Sequence, residues 1–143
     1  MANIVPFAFK GELASGTHNF SSSGNTFKIA LYTANPYTTS STVKVATSEV
    51  SSAGGSYYTA GGNTLTGQSV TATSATTAID FADTSWASAT FTAAFAAIYN
   101  TSSSDKLVVV LDFGGNKTAT NGTFTISFPD PSTPSNAIIS ITS

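Results

Sequence analysis

In the run Thr123-Phe-Thr-Ile-Ser-Phe128 apolar and hydroxyl side chains alternate strictly, and this period of two constrains the fold more than any other feature of the chain. An extended strand turns Phe124, Ile126 and Phe128 to one side and the hydroxyls to the other, so the segment reads as a strand with one wet face. Thr26-Phe-Lys-Ile-Ala-Leu-Tyr32 repeats the pattern, with Phe27, Ile29 and Leu31 on one face and Lys28 and Tyr32 on the other; Asn35-Pro36 stops it. Leu107-Val-Val-Val-Leu-Asp-Phe113 is apolar almost throughout and reads as a central strand covered on both faces. Between it and Thr123, the glycine-bounded stretch Gly114 to Gly122 is expected to be a hairpin loop or an edge crossing.

Further strands are expected at Tyr57–Thr59, within Asn63–Thr73, at Thr77–Phe81 and at Ala137–Ile141. Residues 38–56 read as a short strand around Val43 and Val45 with a long loop, and the Pro-rich stretch 129–134 cannot pair centrally. In the alanine-rich stretch 86–99, Phe91, Phe95 and Ile98 fit a helical period, while Phe91, Phe95, Ala97 and Tyr99 fit alternation on one strand face. Strand is preferred because Thr84, Ser88, Thr90 and Thr92 favour extended backbone and no C-capping glycine follows. Phe7 to Gly16 reads as one short helix, with Phe9 and Leu13 four apart and Gly16 placed to end it. The spacing of short strands and turn clusters predicts a single all-β domain over residues 1–143, an antiparallel sandwich of about eight strands with at most one short N-terminal helix.

Charge narrows the function. Only 8% of the 143 residues are charged, about a third of the roughly 25% usual in soluble domains, while Ser and Thr fill roughly a third of the positions. There is no arginine, and Lys10, Lys28, Lys44, Lys106 and Lys117 are scattered singly in a chain of net charge -2, which speaks against nucleic-acid binding. Without cysteine there are no disulfides, thiolate nucleophiles or Cys-based zinc sites. No run approaches the ~18 apolar residues of a membrane helix, and residues 1–10 do not resemble a secretory signal.

Candidate chemistry is sparse. His18, the sole histidine, stands in a loop with no triad pattern nearby and reads as a loop hydrogen-bonder. Asp80 and Asp83 suit a turn that caps backbone amides better than a calcium loop or a glycosidase pair, so no catalytic, metal or cofactor residue is assigned. Asp112-Phe-Gly114 lacks every other part of a kinase signature. The Gly54-Gly55 and Gly61-Gly62 pairs are turn glycines, because neither precedes the Lys-Ser/Thr of a phosphate loop. Trp86, Tyr57 and Tyr58 offer a sugar-stacking platform as an alternative to core packing.

The succession Phe9-Lys-Gly-Glu-Leu13, Gly16-Thr-His-Asn-Phe20, Thr26-Phe-Lys-Ile-Ala-Leu-Tyr-Thr33, Tyr58-Thr-Ala-Gly-Gly-Asn-Thr-Leu65, Ala97-Ile-Tyr99, Leu111-Asp-Phe-Gly114 and Gly122-Thr-Phe-Thr-Ile126 resembles small structural proteins of tailed bacteriophages. The resemblance implies a jelly-roll-like sandwich serving as a capsid decoration or cement protein. Such a protein is made in the host cytoplasm and placed on the outer surface of the virion. It implies the major capsid protein as partner, self-association with a trimer favoured over a dimer, and no catalytic residues; a tail or fibre subunit, or a carbohydrate- or receptor-binding module, is the alternative. Residues 1–20 are then expected to be a docking arm, with Ile4, Val5, Pro6, Phe7 and Phe9 making the contact and a core that still folds when residues 1–9 are deleted.

Overall fold

The computed structural model describes residues 3–130, 132–133 and 137–142. Helix α1 (Phe7–Ala14) is followed by strands β1 (Phe27–Tyr32), β2 (Asn63–Thr64), β3 (Ser69–Thr73), β4 (Thr76–Asp80), β5 (Thr84–Asn100), β6 (Lys106–Ile126) and β7 (Ile139–Thr142). They form two sheets, ordered β2-β1-β5-β6 and β3-β4-β7, and every pairing is antiparallel. The architecture is all-β with one short N-terminal helix, and the stretch 86–99 is strand. Pro131 and Pro134 of the Pro-rich stretch lie outside the described residues.

The helix ends as its sequence predicts. Gly16 adopts φ +79°, Thr17 N–H reaches Glu12 O at 2.8 Å and Gly16 N–H reaches Leu13 O at 3.2 Å, the paired bonds of a Schellman motif. Alternation in β1 also holds. Phe27, Ile29 and Leu31 enter a core shared by both sheets with Phe81, Ile79 and Ile139, whereas Ala30 and Tyr32 enter a second cluster with Tyr37, Tyr99, Leu107 and Val110 on the opposite face of the larger sheet.

Several expectations change. Residues 107–113 and 123–128 are not separate strands joined by a loop: β6 runs unbroken through Gly114–Gly122. It absorbs residues 113–116 in a wide bulge between the pairs Ala93↔Lys117 and Phe95↔Asp112. Glycine signalled a backbone irregularity, here a bulge with φ +72° and +142° at Gly114 and Gly115 rather than a turn. Nor is Leu107–Leu111 central, because β6 ends its sheet. Its apolarity reflects two covered faces, and the edge is closed by bridges from Ile4 to Val110 and from Val43 to Lys106. Residues 38–56 and 57–59 form no strand; they contribute only the single bridges at Val43 and Glu49.

The expected docking arm is part of the fold. Pro6 is fully buried and Phe9 is 3% exposed, packed on His18 and Phe20, so deleting residues 1–9 removes core side chains rather than a free extension. Only Val5 and Phe7 of the proposed contact residues point outward, with Ile4 half-buried.

Gly62 sets the turn into β2. It has φ +74°, and a Cβ there would overlap the carbonyl oxygen of Ile29 in β1. Gly54, at φ +71°, has open space around it. Gly62→Ala is therefore expected to lower unfolding free energy by more than about 3 kcal/mol, and Gly54→Ala by about 1 kcal/mol, in urea titrations.

Candidate functional site

Five ionisable side chains, Glu12, His18 and Lys106 and, separately, Glu49 and Lys44, pair in two part-buried hubs, each around a glutamate. Glu12, on α1, accepts from Lys106 Nζ at 2.7 Å through one carboxylate oxygen and from His18 Nε2 at 2.9 Å through the other. Asn100, at the end of β5, is fixed by Ser102 N–H donating to its Oδ1 at 3.0 Å. Its amide nitrogen therefore faces His18 Nδ1 at 3.0 Å and Asn25 Oδ1 at 3.0 Å as a donor. This assigns His18 the Nε2–H tautomer, with both ring nitrogens engaged, and Phe9, Phe20 and Phe27 pack around the imidazole. Burial pulls the Glu12 carboxyl upward, but the hydrogen bonds from Lys106 and His18, with the charge of Lys106, outweigh it and hold Glu12 below its ordinary 4.5.

Glu49 organises the second hub. Its Oε2 accepts from Lys44 Nζ at 2.6 Å, and its Oε1 accepts from the Tyr58 hydroxyl at 2.8 Å and from Gly61 N–H at 2.6 Å. Tyr58 in turn accepts from Leu31 N–H at 3.0 Å, and Tyr99 donates to Gly61 O at 2.7 Å. Beside it, Tyr37 donates to the Tyr32 hydroxyl at 2.7 Å, Tyr32 donates to Val45 O at 2.7 Å, and Val45 N–H closes the ring on Tyr37 at 3.2 Å. Four tyrosines and one ion pair thus fasten the irregular stretch 33–62 onto β1 and β5.

The residues singled out in the sequence are divided by the structure. Trp86 is 4% and Tyr58 2% exposed, their rings 6.2 Å apart inside a cluster with Phe91 and Phe124, so they cannot form a sugar-stacking platform with Tyr57. Tyr57 alone of the three is exposed, at 70%. Asp83 Oδ1 accepts from Phe128 N–H at 2.8 Å, a backbone amide as expected but one 45 residues away rather than in its own turn. Asp80 is raised above its usual 3.8, first by burial and then by the charges of Asp130 and Asp83. No group of three metal-ligating side chains occurs among the described residues.

What the sequence reading missed is the surface along β6. The bridges Ile4↔Val110 and Val43↔Lys106 lay two chain segments against the Lys106–Val110 part of this edge, and the exposed Val5, Phe7 and Val43 come with them; exposed Val45 lies farther on, where its backbone bonds Tyr32 and Tyr37. Beyond Leu111 the same strand borders a groove of about 550 Å³ lined by Phe113, Phe124, Phe128 and Ile138, with Asp112 and Lys117 beside it. Val43 and Val45 stand out as apolar residues in a polar stretch, but the contact between that stretch and residues 5–7, Phe7 N–H donating to Thr39 O at 2.8 Å, spans more than thirty positions. Comparison with protein-family models, curated proteins and solved structures yields no match.

Burial pushes Tyr99 up to about 12, with the charges of Asp105 and Glu49 adding to it, and raises Tyr32, Tyr37 and Tyr58 as well. Because the folded state holds these phenols neutral, their stabilisation is fully present below the unfolded value of 10.0 and is lost as pH rises through the folded values. Tyrosinate absorbance is expected to show these four tyrosines ionising together with loss of near-UV circular dichroism. Ionisation of all four near pH 10 in a chain that stays folded would refute the hub.

Proposed function

We propose that this chain is a structural subunit of a tailed-phage virion, a decoration or cement protein that binds the major capsid shell along the β6 edge. The observation that carries the reading is that Val5, Phe7 and Val43, all exposed apolar side chains, accompany the two segments that close the Lys106–Val110 part of the β6 edge. A closed edge does not recruit further strands indiscriminately, yet the apolar residues on it gain about 1 to 2 kcal/mol each when a partner covers them. Phe7, two-thirds exposed beside the buried Pro6, is the natural anchor.

Two further features support a docking role. Both glutamates, the histidine and two of the five lysines are engaged internally, which leaves a hydroxyl-rich exterior suited to crowded, symmetry-related copies without self-repulsion. His18, the residue best suited to general acid–base work, has its side chain wholly buried and both nitrogens occupied. The proposal includes the jelly-roll-like winding, a self-associating subunit with a trimer favoured, and a position on the outer capsid surface, all resting on the resemblance to phage structural proteins.

The double variant Val5→Ser/Phe7→Ser tests this. Both side chains lie outside the core, so it is expected to melt within a few degrees of the parent. Its attachment to capsid shells of the encoding phage, prepared without this chain, should weaken at least about tenfold. Undiminished attachment in a sedimentation assay would remove the β6 edge from the interface.

A further inference from the structure

Three non-glycine residues with left-handed backbone converge where the loop 51–58 meets the β5–β6 hairpin: Tyr57 (φ 58°), Ser88 (φ 54°) and Asn121 (φ 47°). Their proximity is fixed by hydrogen bonds. Thr90 N–H donates to Ser56 O at 3.1 Å, and Asn121 N–H donates to Thr90 Oγ1 at 2.9 Å. Ser88 lies in the β5 bulge between Trp86 and Ala89, and Asn121 lies in the β6 bulge opposite the step from Ala89 to Phe91. Left-handed backbone costs an L-residue roughly 1 to 2 kcal/mol, and glycine would remove that cost at each position.

Tyr57 is the most informative of them. Its neighbours are locked: Ser56 is 6% exposed and donates to Ser51 O at 2.7 Å, and Tyr58 is held by Glu49. The backbone between them turns left-handed, and the ring stands 70% exposed, with no ring contact among the described residues. The ring of this strained residue is left uncovered by its own fold and so stands available to a ligand. The surrounding groups define its ligand. Ser88, Thr90 and Asn121 are exposed and supply two hydroxyls and an amide, while residues 51–58, 85–92 and 118–125 include no charged side chain. An ionic ligand would find no counter-charge here. A pyranose ring offers an apolar face to stack on a phenol and hydroxyls to meet the amide and hydroxyl groups.

We propose that Tyr57, with Ser88, Thr90 and Asn121, forms a binding site for a neutral saccharide. The site lies away from Val5 and Phe7 and does not depend on the capsid-docking reading. The test is an NMR titration of the full chain with maltohexaose, cellohexaose and chitohexaose in turn. At least one sugar is expected to shift the amides of residues 56–58, 88–90 and 120–122, with a millimolar Kd. Tyr57→Gly, which accommodates the left-handed backbone, should keep the fold and weaken binding at least tenfold; Tyr57→Asn, which also tolerates it, should do the same. Tyr57→Phe should bind within about threefold of the parent, and Val5→Ser/Phe7→Ser should bind unchanged. The assignment is overturned if none of the three sugars shifts these amides, or if the folded Tyr57→Gly and Tyr57→Asn proteins bind as tightly as the parent. It is also overturned if these two variants lose attachment to capsid shells while sugar binding is unaffected, which would make Tyr57 a protein contact.

Discussion

The fold depends on two carboxylates. Glu12 and Glu49 are the only glutamates in the chain, and each is drawn into the interior, where a lone charge would be costly. A buried ion pair offsets its desolvation only when its remaining hydrogen-bonding positions are filled. In both pairs each carboxylate oxygen is hydrogen-bonded, while the lysines keep partial access to water. Glu12 joins α1 to the start of β6 and, through His18 and Asn100, to the loop before β1. Glu49 joins the 33–62 stretch to β1 through Lys44, Tyr58 and Gly61. These two long irregular segments have almost no ladder hydrogen bonds of their own, so side chains supply what a sheet would otherwise supply.

This internal use of charge explains the exterior. A chain with few ionisable groups commits both glutamates, its histidine and two lysines to holding loops, and its other three lysines and five aspartates are scattered singly among Ser, Thr and Asn. Such a surface neither attracts nor repels strongly at long range, so the two proposed contacts, apolar burial at the β6 edge and ring stacking at Tyr57, are both of short range. The two features lie on separate segments, so the proposed docking at Val5 and Phe7 would leave Tyr57 free.

Much of the scaffold was legible because it is written locally. The period of two in Thr26–Tyr32 and Thr123–Phe128 and the Gly16 helix stop depend on neighbours within a few residues, and each is found as expected. The bulge at 113–116 was hidden because glycine marks turns and bulges alike, and only the β5 partner distinguishes them. The edge position of β6 was hidden because burial on both faces reads the same in a central strand and in an end strand that loops cover. The hubs were illegible for a different reason. His18 meets Asn100 across 82 positions and Lys106 meets Glu12 across 94, and no local spacing encodes such contacts. The aromatic platform failed because the identity of Trp86 and Tyr58 gives no indication of which face of a bulged strand or turn they occupy.

Amide hydrogen exchange on the unmodified protein tests the central role of Glu49 most directly. Gly61 lies in a turn outside any strand, and its N–H donates to the Glu49 carboxylate. If the hub holds the 33–62 stretch as a unit with the sheets, the Gly61 amide should exchange only by global opening, as slowly as Ala96–Ile98 in β5. Exchange of Gly61 at the rate of an exposed loop, with β5 still protected, would contradict the account.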